Sequence, residues 1–329
     1  MGVAPVRWGI LSTAAINEKL LAGARRSDGV EVVAVGSRDA ARGTAFAERH
    51  GIGRAHGSYE ALLEDPDVEA VYIPLPNALH HAWTMKALAA GKHVLCEKPY
   101  SRRPAEVEEA FEAAERAGLV LSEAYMYRYS PQIVRLAELV REGAIGELRT
   151  IASAFTHPCA DPADVRLSAE LDGGGLMDVG CYCVSASRLL AGEPETVTAQ
   201  QEVGPSGVDV RFVGALAFPG GVLAHFDCGF HVPDRSQLEV VGSAGVIRVS
   251  DPWHGREPGL ELTRADGTTE PVLVERESAY RLELERVSAA ARGAGGPPPL
   301  GRADALGQAR TIAALYRAAE SGAAVRPVD

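Results

Sequence analysis

Along the first third of the chain, short apolar runs alternate with longer stretches of helical periodicity. Val6 to Leu11 is apolar and breaks at Ser12-Thr13-Ala14, after which a helical pattern runs from Ile16 to Ala24. A second strand is predicted at Val30 to Val35, followed by a helix over Ala40 to His50 and a further helical segment around Tyr59 to Glu64. Ala70 to Ile73 is a buried strand ending at Pro74. The helix His80 to Ala90 stops at Gly91, the strand His93 to Cys96 runs into Glu97-Lys98-Pro99, and the helix Pro104 to Ala117 ends at Gly118, ahead of an apolar run at Leu119 to Ser122. Strands separated by helices of this length predict a parallel, doubly wound sheet. Its ligand crevice lies beyond the carboxyl ends of the strands, at residues 11 to 14, 36 to 39, 74 to 80 and 97 to 99.

After residue 123 the pattern changes. A helix over Gln132 to Glu142 is followed by alternation of period two at Leu148 to Phe155, Thr196 to Val203, Val208 to Phe218, Val222 to Phe230, Gln237 to Gly242 and Val246 to Val249. Most of these strands are too closely spaced for helical crossovers, which predicts a large, mainly antiparallel open sheet. Helices including Asp178 to Leu190 are expected on one face. The other face is expected to be open and apolar, a surface for a homodimer or homotetramer. Two more helices, 280 to 292 and 303 to 321, flank Pro297-Pro298-Pro299.

The length of 329 residues supports two such domains, and the expected division is 1-123 for an α/β dinucleotide-binding (Rossmann) domain and 124-329 for an α+β substrate-binding and oligomerisation domain, whose C-terminal helix is a candidate to pack back on the first. With 46% hydrophobic and 23% charged residues, disorder is excluded. The net charge of -11, without a run of basic residues, argues against a nucleic-acid partner. No stretch reads as a membrane span or export signal, so the expected location is the cytoplasm. The five cysteines, Cys96, Cys159, Cys181, Cys183 and Cys228, lack the paired spacing of a zinc site and read as reduced packing thiols, with no metal expected. Of the 33 cationic residues only four are lysines: Lys19, Lys86, Lys92 and Lys98.

The dinucleotide fingerprint is degraded. Gly9 is followed by Ser12, Ala14 and Asn17 where further small residues would fall. What survives is a tight turn of small residues, Ser12, Thr13 and Ala14, opening near Ile16 onto a helix N-terminus, whose free N–H groups suit a pyrophosphate. The end of the second strand reads Gly36-Ser37-Arg38. A carboxylate there would grip a ribose 2'-hydroxyl, whereas a hydroxyl and a guanidinium favour a 2'-phosphate, predicting NADP over NAD, with Asp39 the opposing signal.

At Glu97-Lys98-Pro99 the sequence resembles the Gfo/Idh/MocA oxidoreductases. The likeness extends through Arg7 to Ala14, through Ile73-Pro74-Leu75-Pro76-Asn77 with His80, through Glu123 to Gln132, and through Gly173-Gly174-Gly175-Leu176-Met177-Asp178-Val179-Gly180-Cys181-Tyr182. The resemblance implies that Lys98 and Tyr182 flank the nicotinamide with Asp178 beside them, and that Leu75, Pro76, Asn77, His80, Glu97 and Pro99 line the cofactor site. The Lys98-Pro99 peptide is a candidate for a cis bond. Tyr182, where inositol dehydrogenases carry histidine, is similar to the tyrosine branch of sugar dehydrogenases, dihydrodiol dehydrogenases and nucleotide-sugar 3-ketoreductases.

The chemistry is consistent on its own terms. A phenol with a pKa of about 10 becomes a usable general acid/base when an ammonium favours its phenolate, and the same ammonium stabilises alkoxide character on a substrate oxygen. Asp178, four residues before Tyr182, would share its helical face. Taken singly, Lys98 reads more simply as a solvated lysine, Tyr182 as a packed aromatic and Asp178 as a helix cap; together with the motif they read as a site. Tyr125 and Arg166 are further substrate-binding candidates, and Arg166 reads equally as a ligand of a cofactor phosphate or as a solvated surface arginine. His225, His231, Trp253 and His254 are possible contacts that read more simply as strand or loop residues.

These features predict an NADP-dependent oxidoreductase acting on a sugar or polyol, a small-molecule partner. A non-catalytic dinucleotide-binding regulator and an NAD-cycling glycosidase are the alternatives.

Overall fold

The computed structural model describes residues 4–328. The elements follow in the order β1 (Val6–Leu11), α1 (Asn17–Ala24), β2 (Val30–Gly36), α2 (Ala40–His50), β3 (Arg54–His56), α3 (Tyr59–Leu63), β4 (Ala70–Ile73), α4 (His80–Ala89), β5 (His93–Glu97), α5 (Pro104–Ala117), β6 (Leu121–Ala124), α6 (Pro131–Arg141), β7 (Leu148–Thr156), α7 (Cys181–Ala191), β8 (Thr196–Val203), β9 (Asp209–Ala217), β10 (Leu223–Gly229), β11 (Arg235–Gly242), β12 (Gly245–Ser250), β13 (Gly259–Arg264), β14 (Thr269–Val272), α8 (Ala279–Ala291) and α9 (Arg302–Ser321). They form two compact units. The first takes the chain up to Ser101, Ala105–Met126 and Ser278–Leu306; the second takes Arg102–Pro104, Tyr127–Glu277 and the chain from Gly307 onward. No helix among the described residues is long and apolar enough to cross a membrane.

The first unit holds a six-stranded sheet in the order β3-β2-β1-β4-β5-β6, with every pairing parallel. Its central strands are buried on both faces, as continuous apolar runs require: Trp8, Ile10, Val35, Val71, Tyr72, Val94 and Leu95 are all inaccessible. Local chemistry sets the helix ends. Asp39 caps α2 by accepting from the Arg42 amide at 3.0 Å, Ser58 caps α3, and Gly51 ends α2 in the left-handed region. Gly9 answers a packing need, because a Cβ there would stand 2.8 Å from Leu62 Cδ2 of α3. Helix α8 comes from late in the chain yet packs within this unit. The indole of Trp8 donates to Ser288 at 3.0 Å, and Leu284 and Val287 join the core around Trp8.

The second unit holds an eight-stranded sheet in the order β14-β13-β12-β11-β7-β10-β9-β8. Only β7 with β10 is parallel. Inward residues such as Phe212, Leu216, Phe226, Leu238, Val240 and Ile247 are buried, while their neighbours in sequence are more exposed. That outward face corrects the expectation of an apolar surface. It mixes Thr198, Gln200, Glu202, Arg211 and Arg248 with Val213, Ala215 and Leu223, and the ion pair of Arg248 with Glu239 spans neighbouring strands. Alternation by two requires only that one face be apolar; the other is free to be polar.

Candidate active site

In the first unit, four strand ends present the predicted cofactor loops. After β1 the backbone of Ser12 takes a φ of 132°, a conformation that favours glycine, and side chains hold it there. Ser12 Oγ accepts from the Ala14 amide at 3.2 Å and donates to the Pro74 carbonyl at 3.3 Å, and buried Asn17 donates from Nδ2 to the Ser12 carbonyl at 2.9 Å. Thr13, Ala14 and Ile16 complete a half-buried turn at the head of α1. After β2, Ser37 is buried, with its hydroxyl accepting from the Asp39 amide, and Arg38 is exposed. The Asp39 carboxylate is engaged as the cap of α2.

After β4 and β5, His80 ties two loops together. It is inaccessible to solvent, with Nε2 2.7 Å from the Leu75 carbonyl and Nδ1 3.0 Å from the Pro99 carbonyl. Burial lowers its pKa, so the ring is neutral and donates through one nitrogen at a time. Pro76 and Asn77, in the same loop, are half-buried. Glu97 is held at both oxygens: one accepts from the hydroxyl of buried Tyr72, the other from the Lys98 amide at 3.1 Å. Burial and the Glu97 charge raise the Tyr72 phenol well above its ordinary pKa and keep it a donor. Lys98 is half-buried, its peptide to Pro99 is cis, and its charge is felt at His80. Tyr125, expected to touch substrate, is wholly buried.

In the second unit, Asp178 and Tyr182 do not share one regular α-helix. Leu176–Gly180 is a widened π-helical turn that leads into α7, so the expected helix from Asp178 begins as a π-turn. Asp178 is paired: Oδ2 lies 3.0 Å from Arg166 Nε and 3.0 Å from His157 Nε2. Its carboxylate raises the pKa of His157, chiefly by this hydrogen bond, and raises that of Arg166 by its charge. Arg166 is also gripped by Asp164 at 3.1 Å. Tyr182 lies against an aromatic wall, with ring centroids 5.3 Å from Phe155, 5.4 Å from Tyr127 and 6.0 Å from Trp253. Trp253 is buried, and its indole donates to the Ala154 carbonyl.

His254 packs edge-on against Phe155. His225 belongs to the outward face of β10, opposite buried Phe226 and Cys228, and His231 is exposed. His157 is the residue that sequence reading missed. It closes β7 directly after Phe155 and Thr156, and a polar residue following a buried strand end was the available signal. Among the described residues no group of three or more histidines, cysteines or carboxylates is arranged to hold a metal. The donor set in the first unit, amides at a helix head together with a serine and an arginine, fits the phosphates of a dinucleotide.

Comparison with known proteins agrees with this architecture. Residues 6–125 match the oxidoreductase family with an NAD-binding Rossmann fold, and residues 133–248 match the GFO/IDH/MocA C-terminal domain. The chain is 40% identical to a D-xylose 1-dehydrogenase (NADP(+)) of Haloferax volcanii, over 97% of this chain and 98% of that protein. Among solved structures it is similar to a 3-ketoreductase from Actinomadura kijaniata in complex with NADP and TDP-benzene, with a TM-score of 0.89, 32% identity and coverage of 95% and 98% of the two chains. It is also similar to an aldose-aldose oxidoreductase from Caulobacter crescentus, with a TM-score of 0.90, 28% identity and coverage of 98% and 99%. The parallel sheet with its cofactor loops, the open mixed sheet and matches over most of both units make the chain a member of the Gfo/Idh/MocA family, an NAD(P)-dependent dehydrogenase or reductase acting on CH–OH groups.

Proposed function

We propose that this protein is an NADP-dependent oxidoreductase that moves a hydride between nicotinamide and a hydroxyl or carbonyl carbon of a sugar or related polyol. Tyr182 is the general acid/base and Lys98 assists it. The observation that carries this reading is the setting of Tyr182, four residues after an Asp178 that is ion-paired with Arg166 and hydrogen-bonded to His157, at the start of a helix that follows a π-turn. Bound NADP supplies the hydride donor or acceptor. An ammonium favours a phenolate and can hydrogen-bond a reacting oxygen, which is the part assigned to Lys98. Asp178, Arg166 and Tyr125 serve the substrate, Asp178 and Arg166 as a polar pair and Tyr125 as buried support.

For the cofactor, Ser12, Thr13, Ala14 and Ile16 receive the pyrophosphate at the head of α1. Ser37 and Arg38 take the 2'-phosphate; the exposed Arg38 guanidinium directly after β2 supports this choice, with one Asp39 oxygen engaged in capping α2. Leu75, Pro76, Asn77, Glu97 and Pro99 line the nicotinamide half, with His80 fastening the two loops that carry them. The NADP(+) dependence of the xylose dehydrogenase relative and the NADP in the ketoreductase structure support the same cofactor. Five buried thiols, none of them in a disulfide, suit a cytoplasmic location. The outward face of the eight-stranded sheet is proposed as the contact of a homodimer or homotetramer, to be checked by analytical ultracentrifugation.

The test is NADPH absorbance with a panel of aldoses beginning with D-xylose, then polyols, dihydrodiols and ketosugars. Turnover with NADP is expected, falling by roughly 10²–10⁴-fold in Lys98→Ala and in Tyr182→Phe. No turnover across the panel, or full activity in either variant, overturns the reading.

A further inference from the structure

Three consecutive glycines precede the turn that carries Asp178, and each is required by what faces it. A Cβ would stand 2.3 Å from the Arg166 carbonyl oxygen at Gly173, 2.2 Å from Asp209 Oδ1 at Gly174 and 2.9 Å from the Gly229 Cα at Gly175. Gly174 also has a φ of 121°. The loop is therefore wrapped against the carboxylate of Asp209, the first residue of β9, which is 3% exposed.

That carboxylate is fully employed. Oδ2 accepts from the Leu176 amide at 2.6 Å and Oδ1 accepts from the Tyr316 hydroxyl of α9 at 2.8 Å. Leu176 opens the π-turn, and the first amides of a helical turn have no acceptor within it. A buried side chain from another strand supplies one, in the manner of an N-cap delivered from a distance. The Asp178 amide bonds back to the Gly174 carbonyl at 2.9 Å, so the turn is pinned at two successive points.

The groups facing Asp209 are Tyr316 from α9, Arg102 from the segment ahead of α5 and Cys228 from β10. Arg102 lies 5.0 Å over the Tyr316 ring and pairs with Asp172 at 2.8 Å. Burial pushes the Asp209 carboxyl up to about 6, which leaves it ionised at pH 7.5.

We propose that Asp209 is a positioning residue for the reaction: by accepting the Leu176 amide it fixes the turn that carries Asp178 and starts the helix of Tyr182, while Tyr316 holds its other oxygen. This rests on the functional reading given above.

Asp209→Asn retains an oxygen for Leu176 and offers an amino group to the Tyr316 oxygen, whereas Asp209→Ala retains neither. At pH 7.5 Asp209→Ala is expected to lose kcat by roughly 10–100-fold with the KM for NADP within about twofold of wild type, and Asp209→Asn is expected to recover most of that loss. Hydrogen exchange over residues 174–182 is expected to quicken in Asp209→Ala and to stay near wild type in Asp209→Asn. Should Asp209→Ala not fold, Tyr316→Phe provides the second reading, with partial loss of the same protection and a smaller fall in kcat.

Wild-type kcat and exchange in Asp209→Ala, or an Asn variant as impaired as the Ala variant, overturns the proposal. Exchange that follows the expected pattern in a protein that turns over no substrate on the panel overturns the functional reading and leaves the pinning by Asp209 standing.

Discussion

His157 Nε2 lies 3.0 Å from Asp178 Oδ2, so the carboxylate expected at the reacting centre has a titratable partner of its own. The hydrogen bond to Asp178 raises the pKa of His157 above its ordinary 6.5, with burial opposing. A group whose folded pKa is raised contributes stability that is fully present below its unfolded value and fades as pH rises through the folded one. The coupling between His157→Phe and Asp178→Asn, read from denaturation in a double-mutant cycle, is expected to be about 1 kcal/mol or more near pH 5.5 and to shrink by about pH 9. A coupling that does not change with pH would show that no proton is held there.

The turn after β1 makes a second prediction. Ser12 holds a glycine-like φ because Asn17 and its own hydroxyl secure the backbone. Asn17→Ala removes a buried bond and is expected to cost about 1–2 kcal/mol and to weaken NADP binding. Ser12→Gly removes the strain, of about 1–3 kcal/mol, together with the two side-chain bonds, and is expected to be nearly neutral. Chemical denaturation and cofactor titration of both variants check the contrast. A large loss in Ser12→Gly would mean that the hydroxyl is needed in itself.

Much of the fold was legible because burial writes itself as periodicity. The runs at Val6 to Leu11 and Ala70 to Ile73 can only be strands covered on both faces, and the glycines at 51, 91 and 118 mark chain reversals. Arg54–His56 and Thr269–Val272 are short edge strands where polar residues are tolerated, and in Gly259–Arg264, one strand in from the edge, only Leu260 and Leu262 are buried, too few to stand out as a pattern. Nor could the apolar stripe of α8 reveal which sheet it covers; that is decided by Gly23 of α1, whose missing Cβ admits the backbone of Arg281. In the site, local motifs exposed the loops. Partners brought together by folding, such as His157 with Asp178 and Asp209 with Leu176, carry no signal in sequence spacing.

Cofactor choice is predicted to rest on Arg38. With the Asp39 carboxylate bound to the Arg42 amide, the end of β2 presents a guanidinium and a serine. Charge-assisted hydrogen bonds of about 1.5–3 kcal/mol correspond to roughly 10–150-fold in binding. Arg38→Ala is expected to raise the KM for NADP by that factor and to leave the KM for NAD within about twofold. Initial rates with both cofactors decide the matter; equal losses for the two would assign Arg38 to something other than the 2'-phosphate.

Acid sensitivity of the first unit is predicted to involve Glu69 and Arg292. Arg292, just beyond α8, binds both Glu69 oxygens, Nη1 at 2.8 Å and Nη2 at 2.9 Å, and donates as well to the carbonyls of Ala4 and Pro5. The Arg292 hydrogen bond lowers the Glu69 carboxyl from 4.5 to about 2, against burial, with the Arg7 amide adding a further bond at 3.0 Å. A depressed folded pKa contributes stability that is present above the unfolded value of 4.5 and is lost as pH falls through about 2. Because both side chains retain some solvent contact, 27% for Glu69 and 28% for Arg292, the shift is discounted for screening to about 1–2 kcal/mol. Glu69→Gln should therefore lower unfolding stability by that amount near pH 7, and its difference from wild type should narrow steadily below about pH 4.5. A difference that held constant from neutral to strongly acid pH would mean that shape complementarity, and not the Glu69 charge, binds the start of β1 to the end of α8.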